Sequence, residues 1–316
     1  MDCLNKSDKV ELSIVVPVFN EEEFISCCLD SLISKLKTVK FKYEIIVIDN
    51  GSYDDTCRIL DSYSELIVRK IKRSTVSYAR NFGASISSGN ILAFIDGDVV
   101  VTEEWVTEIE SLIFGDRKSY FLTGCKCRSR SDGTWIERYW FSNLKSSHIN
   151  SGNLVISKSA FDEVRGFNES LKTGEDVDIC DRVKLSNSIV FYVNERLTAI
   201  HMDYPKTLMK FFLREFWHGE GDFKNIQFFL KSKVALVSCI YGMLSALFFI
   251  LSTMGYASYS LTALLLLVLI NVSLTVYRFK NSGLEAMLFC FSLNYIYFIA
   301  RFFALFRAVY NKKNRY

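Results

Sequence analysis

Between Val234 and Tyr277 the chain contains no Asp, Glu, Lys or Arg. A charge-free stretch of that length excludes a helix of a water-soluble core, because a bilayer span needs only about 20 apolar residues. The block divides around Gly255 into two expected spans, near 234–254 and 257–277, so the protein is expected to be integral to a membrane. A Gly-x-Gly-x-x-Gly turn after the first apolar run is also missing. That argues against a dinucleotide fold, since a pyrophosphate would lack its glycine turn at a helix N-terminus. No Walker lysine motif occurs, and neither a Ser-His-Asp set nor a Cys-x-x-Cys redox pair offers a competing chemistry. Cys125 and Cys127 form a Cys-x-Cys, read as alternate residues of a strand rather than as zinc ligands. The nine cysteines show no regular framework and fit reduced, buried thiols. Met1 to Lys9 is polar, and the first apolar run, Leu12 to Phe19, is short and interrupted by Pro17, so no secretory signal is expected.

A chain of 316 residues exceeds the size at which one core stops growing, which makes two regions the prior. Lys231 and Lys233 precede the charge-free hairpin and Arg278 and Lys280 follow it, so the positive-inside rule puts both flanks in the cytoplasm. The expected layout is a cytoplasmic region over 1–205, an amphipathic interface segment over 206–232 and a membrane region over 233–316. The last segment, Leu284 to Tyr310, carries Glu285, Asn294, Arg301 and Arg307 and is followed by Lys312, Lys313 and Arg315. A full crossing would place this basic tail outside, against the charge rule. An interfacial or re-entrant helix over 284–310 is favoured, and a third span is the alternative.

The cytoplasmic region alternates strands and helices. Leu12 to Phe19 reads as a strand, Glu21 to Lys37 as a helix with Asn20 as N-cap, Tyr43 to Asp49 and Leu66 to Ile71 as further strands, and Ser77 to Ser88 as a helix. Ile91 to Ile95 then runs straight into Asp96-Gly97-Asp98. Strand, helix, strand at this spacing means a parallel α/β sheet, whose C-terminal strand ends open into a ligand crevice. Asn20 with Glu21, Asp49 with Asn50, and Asp96 with Asp98 all fall on that edge. Hard carboxylate oxygens suit Mg²⁺ or Mn²⁺, which complete their coordination with substrate phosphates. An Asp-Gly turn closing a hairpin accounts for the isolated Asp-x-Asp equally well.

The ordered set of motifs is more specific than any member. Ser13-Ile-Val-Val-Pro17-Val-Phe19-Asn-Glu21-Glu22, Ile46-Val-Ile-Asp49-Asn-Gly-Ser-Tyr-Asp-Asp-Thr56, Ala79-Arg80-Asn-Phe-Gly83, Phe94-Ile-Asp96-Gly-Asp98-Val99, Ser151-Gly-Asn-Leu-Val-Ile156, Gly166-Phe-Asn-Glu-Ser170 and Gly174-Glu175-Asp176 resemble the family 2 inverting glycosyltransferases. The likeness covers about residues 12 to 220. It implies a GT-A (Rossmann-like) nucleotide-diphospho-sugar transferase domain with C-terminal transmembrane helices, a nucleotide-sugar donor (UDP-, GDP- or dTDP-linked) and a divalent metal at the Asp-x-Asp. Carried over by position, Pro17, Phe19 and Glu21 line the nucleoside pocket, Asp49 meets the base or ribose, and Arg80 lies near the donor phosphates. Asp96 contacts ribose or sugar, Asp98 ligates the metal and His201 supplies a further metal contact. Asp176 is the general base and Glu175 orients the acceptor. An acidic pair opening a helix also caps it, so Glu175 and Asp176 fit a purely stabilising part as well, and Phe19 fits a core aromatic.

Residues 206–221 mix Leu208, Phe211, Phe212, Phe216 and Trp217 with Lys210 and Arg214, as a helix lying at a membrane interface would. Arg214 to Gly219 occupies the place where processive members of the family carry Gln-x-x-Arg-Trp. Here the glutamine and the spacing are absent, which favours addition of one sugar or a few. Trp217 and His218 are acceptor-site candidates, and bilayer packing explains Trp217 too. The expectation is an inverting, metal-dependent transfer onto a lipid-linked or cell-surface glycan, with polyprenyl phosphate itself as the rival acceptor and no nucleic acid as partner. From other classes, a nucleotidyltransferase would need a basic glycine-rich loop for its triphosphate. A scaffold or transporter would need intramembrane ionisable groups, which the hairpin lacks.

Overall fold

The computed structural model describes residues 9–115, 120–144, 148–171, 173–223, 229–230 and 232–313. The polar start at Met1 to Asp8, Lys231 and Arg315 lie outside the described residues. The chain divides into two compact units, 1–128 with 146–203 and 129–145 with 204–316. The first ends close to the boundary expected at 205, whereas 129–145 belongs with the second.

The first unit is built on strands that are largely apolar. β1 (Leu12–Val18), β2 (Tyr43–Asp49), β3 (Leu66–Lys70) and β4 (Ile91–Ile95) are mutually parallel and joined by α1 (Ile25–Leu36), α2 (Thr56–Leu60) and α3 (Val76–Ser85). Beyond β4 come β5 (Val99–Val101), α4 (Glu103–Phe114), β6 (Phe121–Gly124) and the short β7 (Arg128–Ser129), where the chain passes to the second unit. After its return, β8 (Asn153–Ser157), α6 (Lys158–Glu163), α7 (Glu175–Leu185), β9 (Val190–Val193) and β10 (Ala199–His201) follow. The sheet order is β3-β2-β1-β4-β8-β6-β9, with β8 antiparallel to both β4 and β6. The half expected to be parallel is parallel, and β8 makes the whole sheet mixed. This is the GT-A fold.

Every residue of β1 and β4 is buried, as strands covered on both faces require. One face packs Ile25, Leu29 and Leu32 of α1 with Trp105 and Ile109 of α4. The other packs Phe161 of α6 with Ile179 and Val183 of α7. At Gly83 a Cβ would stand 2.4 Å from Val15 Cγ1, so α3 rides directly on β1 only because that position has no side chain. Two expectations are corrected. α1 starts at Ile25 rather than Glu21, because Asn20 adopts φ +55° and ties itself to the 50s loop, its N–H donating to Ser52 Oγ (3.0 Å) and its Oδ1 accepting from Tyr53 N (3.0 Å). Cys125 and Cys127 are buried in the link between β6 and β7, not in a strand.

The second unit contains α5 (Trp135–Tyr139), α8 (Leu208–Asp222), α9 (Lys233–Thr253), α10 (Ala257–Phe279) and α11 (Leu284–Lys313). α9, α10 and Leu284–Arg307 are each long and apolar enough to cross a membrane, which supports membrane association. The hydrogen bond between Tyr241 and Asn271, residues equidistant from the turn at Tyr256, makes α9 and α10 an antiparallel pair. α11 is one uninterrupted helix. It starts just after the last turn of α10, and Ala304, far along it, packs with Ala235 in the first turn of α9. Those two turns lie at the same end of an antiparallel hairpin. α8 is amphipathic as expected, with Met209, Leu213 and Trp217 exposed at four-residue spacing while Phe211 and Glu215 are buried. Glu215 is held between Arg214 (2.8 Å) and Arg301 of α11 (3.2 Å).

Candidate active site

The register pairs Val18 of β1 with Asp49 of β2 and Val15 with Phe94 of β4, so the three polar strand ends stand side by side within the first unit. Asp49 is almost fully buried, and its carboxylate accepts from Ser52 N (2.9 Å) and the Cys57 thiol (3.0 Å). Pro17 is buried within β1 opposite Ile48. Phe19 belongs to no core cluster among the described residues. Its half-buried ring lies 3.4 Å under the Arg73 guanidinium and edge-on to Tyr53, which is 83 % exposed. These rings and the cation offer a planar group a surface at the crevice mouth.

Glu21 leans over Gly97, where a Cβ would come 3.2 Å from its Cγ. Burial, followed by the nearby Asp98, Asp96, Asp203 and Asp54, pushes its carboxyl up to about 8. Antiparallel pairing sets His201 of β10 opposite Val99, next to Asp98, and His201 Nε2 lies 3.3 Å from Asp98 Oδ2. Among the described residues no three His, Cys, Asp or Glu are grouped so as to hold a metal ion by themselves.

Arg80, expected near the donor phosphates, is buried rather than solvated. Its side chain is 3 % exposed and forks between two carboxylates, Nη2 to Asp96 Oδ1 at 2.6 Å and Nη1 to Glu175 Oε1 at 2.9 Å. It therefore ties the first acid of the Asp-x-Asp to the acidic pair that lies 95 residues beyond Arg80 itself. Ser151 Oγ donates to the same Glu175 oxygen (3.1 Å), and Gly152 lies under Asp96, where a Cβ would stand 2.4 Å from Oδ2.

Asp176 stands in the first turn of α7, whose N-cap is Gly174 at φ +82° with no side-chain cap hydrogen bond. The acids are therefore not the N-cap residue itself, but both stand in the first turn, where a carboxylate also stabilises the helix. Asp176 Oδ1 accepts from Val177 N (2.8 Å), and Oδ2 lies 3.2 Å from His148 Nε2. Burial would raise this carboxyl, but His148, the Val177 N–H and the charge of Arg80 together hold it below the usual carboxylate value. Asp178 is tied to Arg182 one turn on, through Nη2 at 2.6 Å. The first unit thus gathers Asp96, Glu175 and Asp176 around Arg80, while Asp98 is paired with His201. His148 and Ser151 were missed, and no local signal in the sequence points from position 148 to position 176. Trp217 and His218 lie on α8 of the second unit, ring centroids 4.8 Å apart.

The description "Glycosyl transferase family 2" matches residues 13–171, half of the chain. The chain belongs to glycosyl transferase family 2. The family 2 match spans β1 to the loop before α7 and so contains every strand-end acid. Glycosyltransferase AglE of Haloferax volcanii is 32% identical over 180 residues, covering 52% of this chain and 59% of that one. Undecaprenyl-phosphate 4-deoxy-4-formamido-L-arabinose transferase of Proteus mirabilis is 30% identical over 158 residues, covering 48% of this chain and 45% of that one. The chain therefore spans only about half the length of the curated relatives it matches. The crystal structure of S. aureus TarS has a TM-score of 0.49 at 20% identity over 66% of this chain and 39% of that chain, a likeness too remote to inform function.

Proposed function

We propose that this glycosyltransferase moves a sugar from a nucleotide-sugar donor onto a membrane lipid-linked acceptor, in one displacement that inverts the anomeric carbon. The observation that carries the reading is the Arg80 fork, which holds Asp96, assigned in this reading to the donor, against Glu175, assigned to the acceptor. Asp176, ionised and aimed by His148, accepts the proton of the acceptor hydroxyl as its bond to the sugar carbon forms. Glu175, fixed by Arg80 and Ser151, keeps that helix turn in register and orients the acceptor. Phe19 and Arg73 cover the base, and Asp49 stiffens the loop beneath it.

A divalent Mg²⁺ or Mn²⁺ fits the chemistry of the donor set. Burial first and then four nearby carboxylates raise Glu21 to about 8, and the negative charge of those carboxylates is what such a cation relieves. Asp98 and His201 would hold the ion, with the donor diphosphate completing its coordination, and the ion would stabilise the charge that develops on the leaving diphosphate. The likeness to the Proteus mirabilis undecaprenyl-phosphate transferase favours a lipid phosphate as the acceptor. The geometry of α11, laid across one end of the hairpin, supports a helix that keeps the C-terminus on the same side as the start of α9. Purified protein in detergent should release nucleoside diphosphate from one of a panel of UDP-, GDP- and dTDP-sugars when a lipid phosphate or lipid-linked glycan and Mn²⁺ are added. Release from none of them across the panel would reject the reading.

A further inference from the structure

The charge-free hairpin conceals a polar relay. Tyr241 Oη of α9 donates to Asn271 Oδ1 of α10 at 3.0 Å, and Asn294 Nδ2 of α11 donates to the same oxygen at 2.9 Å. Asn271 Nδ2 donates to the Phe291 carbonyl at 3.0 Å. Asn271 and Asn294 are 2% and 0% exposed, and these bonds fix both amides, turning Asn294 Oδ1 towards the end of α10. That oxygen accepts from Arg278 Nη1 at 2.9 Å. The relay ends on a guanidinium and holds it in one orientation.

Rings surround this cation. Its guanidinium carbon lies 4.5 Å from the centroid of Tyr297, 4.8 Å from Trp140, 5.6 Å from Phe279 and 5.9 Å from Phe298. Its further polar neighbours are the Tyr297 phenol and, at longer range, the charges of Glu215 and Arg301. Among the described residues no carboxylate stands at ion-pair distance from Arg278, because Glu215 is engaged by Arg214 (2.8 Å) and Arg301 (3.2 Å). The indole N–H of Trp140, fully buried against the same guanidinium, has no acceptor. Exposed apolar side chains, Tyr277, Leu284 and Leu288, flank it in sequence, with the exposed Lys280 and Glu285 among them.

A guanidinium has five donors in a rigid plane, and stacked rings stabilise its faces without using those donors. A cation at the end of a spanning helix with no carboxylate at ion-pair distance, only the more remote charge of Glu215, is costly and marks a functional site, the more so when a dedicated buried network orients it. The guanidinium edge matches the oxygens of carboxylate and phosphate alike, and phosphate is the one that the proposed lipid acceptor carries. We propose that Arg278, in its aromatic surround, binds the phosphate of a membrane-borne lipid phosphate, so that the helical unit is an acceptor-lipid site as well as an anchor. This assignment rests on the lipid acceptor proposed above.

The test uses the full chain in detergent with no donor present and farnesyl phosphate as the probe, alongside farnesol, inorganic phosphate and phosphatidylglycerol. Farnesyl phosphate should bind, and Arg278→Gln should weaken it by about tenfold or more, the cost of a lost charge-assisted contact. Association of farnesol and phosphatidylglycerol should not change. Unchanged affinity in the variant, or an equal loss for phosphatidylglycerol, overturns the assignment, the second result making Arg278 a contact to bulk headgroups. Should the variant not fold, phenylglyoxal labelling of the native protein decides. Farnesyl phosphate should slow modification of Arg278 and farnesol should not, and a rate indifferent to the phosphate overturns the site. Binding through Arg278 without any sugar transfer would count against the proposed function alone, and lipid transfer undiminished in Arg278→Gln against this site alone.

Discussion

Replacing Arg80 with glutamine removes the one cation that two carboxylates share. The guanidinium is 3 % exposed, Glu175 12 % and Asp96 30 %, so both acids are left facing each other in a poorly hydrated crevice. Breaking a buried ion pair from one side costs about 3–5 kcal/mol, and the partial exposure of Asp96 argues for the lower end, about 3 kcal/mol. That corresponds to roughly a hundredfold or slightly more in the folding equilibrium, and to a fall in Tm of roughly 6–12 °C for a unit of this size. Arg80→Lys keeps the charge but not the fork, so it should recover only part of the loss. Thermal unfolding of the full chain in detergent measures both variants against the native protein. A fall for Arg80→Gln of less than about 2 °C, outside error of the method, would refute the claim that Arg80 is the strut of the site.

Other outcomes follow from the same geometry. His148→Ala removes the contact that opposes burial at Asp176, so the Asp176 pKa rises and the acid limb of the kcat/KM profile moves to higher pH; a profile that stays in place would show His148 to be a bystander. Asp98→Ala should leave donor binding insensitive to Mn²⁺, and near-native turnover in the presence of EDTA would remove the metal from the account. A reporter fused after Tyr316 should give a signal on the same side as one fused ahead of β1, and opposite sides would make α11 a third span.

The strands were legible because each is a continuous apolar run that ends in polar residues, and β1, β2 and β4 fall within a residue of where the pattern sets them. The start of α1 was not, because Asn20 uses its amide on the 50s loop, a partner remote in sequence. The antiparallel insertion of β8 was hidden for a similar reason: Ser151 to Ile156 reads as a motif, and direction is fixed only by pairing with both β4 and β6. Spacing located Asp96, Asp98, Glu175 and Asp176 on their elements. It could not show that Arg80 would be buried between two of them or that His148 would reach Asp176, since both depend on contacts closed by the whole sheet. The second unit gave its spans through hydropathy alone. Its internal polar relay was invisible because Tyr241, Asn271 and Asn294 are single uncharged residues on three helices whose faces meet only after packing.

Turnover of Asp176→Asn, measured with donor binding on the same preparation, bears most directly on the acid–base role at the heart of the site. The amide keeps the size of the side chain and can still accept from Val177 N, so α7 and the donor pocket should be unchanged. It cannot take a proton. The account predicts intact donor affinity and a rate lower by about 10² to 10⁴-fold, the range of a general base. A rate within about tenfold of the native protein at equal donor affinity would contradict it and pass the role to another group.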